Sequence, residues 1–227
     1  MAHETVDILF ALFPGVTQLD FTGPHQVFSR LPGGQVTAAS LGGKDIEADG
    51  LVFAQLARLE DAAGCDVLCV PGGFGTDAAM LDAAFLAEIR RLAASARFVT
   101  SVCTGSLVLG AAGLLVDRRA ACHWSARDLL ARFGAIPEPA RVVRDGNIIT
   151  GGGVTAGIDF ALTVAAEIAG DEVAQRIQLS VEYAPAPPFR SGRPEDAPPA
   201  VLARVRQLME KSGAARAAAV EAAAGKL

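Results

Sequence analysis

The chain of 227 residues is poor in several residue types at once: four cysteines, three histidines, one tryptophan and one tyrosine. None of Cys65, Cys69, Cys103 and Cys122 stands in a Cys-x-x-Cys pair, which argues against a disulfide framework. The histidines (His3, His25 and His123) lack His-x-x-x-His spacing, so no metal site is expected. Lys and Arg number 20 against 25 Asp and Glu, net −5, with no basic block. That balance argues against nucleic acid as the main partner. Apolar runs are broken by Gly, Asp or Arg before the ~18 residues that a membrane helix needs. The opening residues 1–7 carry no basic stretch of a secretory leader, and with the unpaired cysteines this gives the expectation of a cytoplasmic protein that binds no membrane.

What is present is an alternation of short apolar runs with longer helix-like stretches, the pattern of an α/β fold with a parallel sheet. Strands are expected at 6–13, 35–41, 51–55, 67–70 and 98–102. The Asp145-Gly146 pair between two apolar runs predicts a hairpin over 141–150. Helices are expected over 20–31, 78–96, 125–133, 155–169 and 172–182, the second with Leu81, Phe85, Ile89 and Leu92 on one face. The expected division is an α/β domain over 1–190. Residues 191–227 then form a Pro-rich connection and an Ala-rich helix that packs on the domain or on a dimer partner.

The stretch from Phe98 to Gly110 carries the most chemistry. A β-rich run, one cysteine, small residues and an apolar helix-like segment describe a strand, a sharp turn and a helix, with Cys103 at the corner. There the following helix aims its N-terminal N–H groups at the sulfur and favours thiolate, the reactive form. A buried structural cysteine is the bland alternative. Gly72 and Gly73 follow the apolar strand 67–70 as Cys103 follows 98–102, and loops leaving neighbouring parallel strands converge on one crevice. Amides of that loop and of Thr104 are candidates for an oxyanion hole; a tight turn explains the glycines equally well. Asp20, just past the first strand, is either a helix N-cap or an acid facing the cysteine, in which case its pKa is raised and it can pass a proton. Asp159, inside an apolar helix pattern, reads as a structural anchor or, less readily, as a group that supports the site residues from behind, and His123 beside Trp124 as either a hydrogen-bonding group or the base of a Cys-His dyad.

Taken together these segments resemble the PfpI-like (Parkinsonism-associated deglycase) superfamily over about 6–182: an acid after the first strand, a Pro-Gly-Gly loop and a cysteine elbow. The resemblance implies a flavodoxin-like three-layer α/β sandwich with a mostly parallel central sheet, and a homodimer. Within the superfamily, 18–24, 100–106, His123-Trp124, 151–159 and 182–189 look like the isocyanide-hydrating branch. Deglycase-type members place Glu where Asp20 stands, and protease-type members place His where Thr104 stands. The resemblance thus implies a small-molecule isocyanide as substrate and no metal or organic cofactor. Cys103 would be the nucleophile, Asp20 the acid and base, and Thr104 a substrate, water or Asp20 contact. It also implies that Gly151 to Val154, Gly152 included, pack against the nucleophile and shift with its charge.

Three other readings share the pattern: a glyoxalase or deglycase acting on small aldehydes, a ligand-binding domain of AraC-type regulators, and a redox sensor without turnover. Residues 201–227 are too short for the helix-turn-helix module of such a regulator.

Overall fold

The computed structural model describes residues 5–227. His3 lies outside them. The strands are β1 (Val6–Leu12), β2 (Gly34–Ser40), β3 (Ile46–Ala48), β4 (Leu51–Phe53), β5 (Ala57–Arg58), β6 (Val67–Val70), β7 (Phe98–Val102), β8 (Arg119–Ala120), β9 (Ile136–Pro137), β10 (Val142–Asp145) and β11 (Ile148–Gly151). The helices are α1 (Gln18–Phe28), α2 (Thr76–Ala79), α3 (Ala83–Ala93), α4 (Gly105–Ala111), α5 (Ala156–Ala169), α6 (Asp171–Ser180) and α7 (Pro199–Ala224).

Seven strands form the central sheet in the order β10-β11-β7-β6-β1-β2-β5, parallel throughout except for the β10–β11 hairpin. β1 and β6 are almost wholly apolar, β7 also carries Thr100 and Ser101, and all three are buried along most of their length because helices cover both faces of the sheet. The pleat divides the core between those faces. Phe10 meets Phe21 and Phe28 of α1 at ring-centroid distances of 5.0 and 6.1 Å, whereas Phe13, of opposite parity, meets Phe85 of α3 at 5.6 Å. Helices α1, α5 and α6 pack together as one layer; α2, α3 and α4 form the other, joined by α7. This is the flavodoxin-like three-layer sandwich. The side on which successive strands are added switches at β1: β2 lies on one side of it and β6 on the other, which opens a crevice at the strands' carboxyl ends.

Several elements differ from their expected form. The run 78–96 does not make one helix: it breaks after α2, and Asp82 restarts the chain by accepting bonds from the amides of Ala84 and Phe85 at 3.0 and 3.1 Å. Leu81 therefore falls in the break and is exposed rather than on the buried face. The stretch Arg127–Phe133 is wound as 3₁₀ turns ending at Gly134 in the left-handed region. The 51–55 run pairs as β4 with β3 in a small antiparallel ribbon outside the main sheet. Among the described residues, no helix is long and apolar enough to cross a membrane.

Phe160 of α5 is fully buried against Phe28, ring centroids 6.0 Å apart, while Phe189 is largely exposed. Phe160→Ala is expected to lower unfolding stability in urea by about 3–5 kcal/mol, and Phe189→Ala by less than about 0.5 kcal/mol.

Candidate active site

Three loops leaving β1, β6 and β7 meet at the crevice. Cys103 directly follows β7 with φ +58°, a left-handed conformation that costs a non-glycine residue about 1–3 kcal/mol and must be held from outside. The holding bonds are visible: the Cys103 amide donates to the carbonyls of Gly151 and Gly152, at 3.0 and 2.7 Å. Close backbone approach does the rest. A Cβ on Gly105 would lie 2.1 Å from the Val70 carbonyl oxygen, and one on Gly72 2.5 Å from the Thr104 nitrogen. Only glycine allows the β6 and β7 loops to nest this tightly.

Asp20 is the third residue of α1, not its N-cap; the cap position is Thr17. Its side chain is fully buried and points across the crevice, where Oδ2 accepts from the Gly72 amide at 3.0 Å. Oδ1 has no hydrogen-bond partner meeting ordinary geometry. Burial pushes the Asp20 carboxyl up to about 7 from an ordinary 3.8, opposed by the contact with the Cys103 side chain and by the Gly72 amide. The Cys103 thiol is pushed well above its ordinary value, first by burial and then by the neighbouring Asp20 charge; the Thr104 amide pulls the other way. An elbow expected to favour thiolate therefore holds a thiol, because burial and the Asp20 charge together outweigh the Thr104 amide.

The remaining expected residues fall into place around this pair. The Gly72 and Gly73 amides are not free as an oxyanion hole: the first holds Asp20, and the second donates to Thr104 Oγ1 at 3.0 Å. The Thr104 hydroxyl is in turn bonded to Thr76 Oγ1 at 2.8 Å, so it braces the loop and makes no hydrogen bond to Asp20. His123 lines the same cavity but pairs its Nδ1 with Ser125 Oγ at 2.8 Å and makes no hydrogen bond to Cys103. Burial and the nearby Arg216 charge lower its pKa and keep it neutral. Gly152 supports the elbow through its carbonyl, and Val154 lines the cavity. Asp159 is only partly buried and is engaged elsewhere: it pairs with Arg141 at 2.7 Å and accepts from the Tyr183 hydroxyl at 2.9 Å. Among the described residues, no three His, Cys, Asp or Glu side chains gather as a metal site requires.

The cavity above Cys103 has a volume of about 570 Å³. One wall comes from α7, through Arg206, Met209, Gly213 and Arg216. Arg216, nearly buried, bonds Asp77 of α2 at 2.7 Å and donates to the Gly73 carbonyl at 3.1 Å. Sequence reasoning treated α7 as a packing element and missed this wall. The available signal was an arginine within an alanine-rich helix, which is also how a solvated face reads.

The Asp20 shift sets a stability test. The folded value lies above the unfolded one, so the proton on Asp20 stabilises the fold fully below about pH 4, and that contribution is lost as pH rises through about 7. Asp20→Asn cannot titrate. Raising pH from 4 to 8 is expected to move urea-unfolding stability toward the variant relative to the parent by about 4 kcal/mol. A gap independent of pH would mean that Asp20 ionises normally.

The DJ-1/PfpI family model matches residues 6–167. The chain is 53% identical to an isonitrile hydratase of Pseudomonas putida over 98% of both chains. It is 30% identical to an HTH-type transcriptional regulator of Pseudomonas aeruginosa over 78% of its own length, but that match covers only 54% of the regulator. Among solved structures, a ThiJ/PfpI family protein from Pseudomonas syringae superposes with a TM-score of 0.93 at 41% identity, covering 96% of this chain and 92% of that one. By its sheet order, its cysteine elbow and these matches, the chain belongs to the DJ-1/PfpI family.

Proposed function

We propose that this protein hydrates isonitriles, R–N≡C, to N-substituted formamides, with Cys103 as nucleophile and Asp20 as the proton carrier. The observation that carries this reading is the buried Asp20 carboxyl, with a pKa near 7, in contact with the Cys103 side chain at the elbow. The near full-length likeness to an isonitrile hydratase supports the same substrate class.

As the sulfur attacks the terminal isonitrile carbon, its proton passes to Asp20 and from there to that carbon. The product is a thioimidate, R–N=CH–S–Cys103. The C–S bond forms at the expense of one C–N π bond, with no net oxidation. Asp20, now charged, takes a proton from water as the water oxygen attacks the same carbon, and returns that proton to nitrogen. Collapse of the tetrahedral species breaks the C–S bond and releases R–NH–CHO, with the thiol restored. One carboxyl acting first as acid and then as base needs a pKa near the working pH, which burial supplies. The Thr104 amide steadies negative charge on sulfur. Gly72 holds the carboxylate whenever it is charged.

The test is formamide production from an aryl isonitrile, followed by absorbance with purified protein. Cys103→Ala is expected to show no turnover above background, and Asp20→Asn a loss of about 10²–10⁴-fold in kcat. Full activity in Cys103→Ala would discard the covalent route; no turnover by the parent protein with its thiol reduced would discard the isonitrile reading.

A further inference from the structure

Gly213 has no role in the fold that requires a glycine. It lies within α7, does not adopt a positive φ, and a Cβ built on it would meet no heavy atom within 4 Å. This is the opposite of Gly72 and Gly105, where backbone atoms leave no room. Glycine inside a helix is also less favourable than alanine, and α7 is otherwise rich in alanine. What Gly213 does have is a place on the cavity above Cys103. It sits on one helical face with Arg206, Met209 and Arg216, at spacings of seven, four and three residues. Arg216 fixes that face against the catalytic loop through Asp77 and the Gly73 carbonyl, so the wall is not free to retreat from a side chain added at 213.

We propose that Gly213 is a specificity-determining residue: its missing side chain keeps the cavity mouth wide enough for isonitriles with a bulky R group. The inference rests on the isonitrile reading above for its substrate and on the cavity geometry for its position. The reacting carbon is the same small terminal atom in every isonitrile, so discrimination by size must act on R, away from the chemistry.

The experiment compares Gly213→Ala and Gly213→Leu with the parent protein, using methyl isocyanide as the small substrate and cyclohexyl isocyanide as the bulky one. The readout is the ratio of kcat/KM for the bulky substrate to that for the small one. The ratio is expected to fall at least tenfold in Gly213→Leu and by less in Gly213→Ala, with Tm at or above that of the parent in both. A ratio unchanged in Gly213→Leu would overturn the proposal, as would a lower Tm in Gly213→Ala, which would make the glycine structural. Access to Cys103 is read without turnover by alkylation with iodoacetamide and with N-(1-pyrenyl)maleimide, scored on the Cys103 peptide by mass. Gly213→Leu is expected to slow the maleimide selectively. If the parent turned over neither isonitrile, the isonitrile reading would fall and the alkylation rates alone would decide the role of Gly213: selective slowing upholds it, and equal rates overturn it.

Discussion

The crevice is organised by one buried carboxyl. Asp20 has left water entirely, and a charged group in that position is costly unless it is hydrogen-bonded or neutralised. The protein does some of each: one oxygen takes the Gly72 amide, and the rest of the cost appears as a proton held up to about pH 7. Around this group the β6 and β7 loops nest through glycines, Thr104 locks Gly73, and Cys103 is held in a left-handed conformation by two carbonyls from the end of β11 and the following loop. Remove the acid, and the Gly72 amide and the thiol lose the partner that sets their polarity.

That arrangement also explains a departure from the simplest picture of an elbow cysteine. A helix N-terminus alone lowers a thiol pKa, but α4 is short and the sulfur is buried beside a carboxyl. Desolvation and like charge outweigh the dipole, and the sulfur is held as a thiol.

Much of the fold was legible because its signals are local. The fully apolar 67–70 run, the β-rich 98–102 run and the Asp145-Gly146 turn predicted strands of the sheet, whereas the expectation that Asp20 faces Cys103 rested on sheet topology and on the family resemblance. What could not be read depends on contacts between distant residues. The break at Asp82 competes with an unbroken helical spacing and is decided by its capping bonds. Thr104 keeps its expected place but turns its hydroxyl to Thr76, a partner that no spacing pattern marks. Arg216 reaches Gly73 across 143 positions of sequence, and a solvated arginine on an alanine-rich helix would be spelled the same way.

The bond from Arg216 to Asp77 spans 139 positions, whereas the β1–β2 and β6–β7 pairs join strands only about 30 residues apart. Closing so large a loop costs more chain entropy, and such contacts are rewarded only after the nearer ones exist. The cup is thus assembled from both ends of the chain: the acid comes from the first helix and the bracing arginine of its wall from the last.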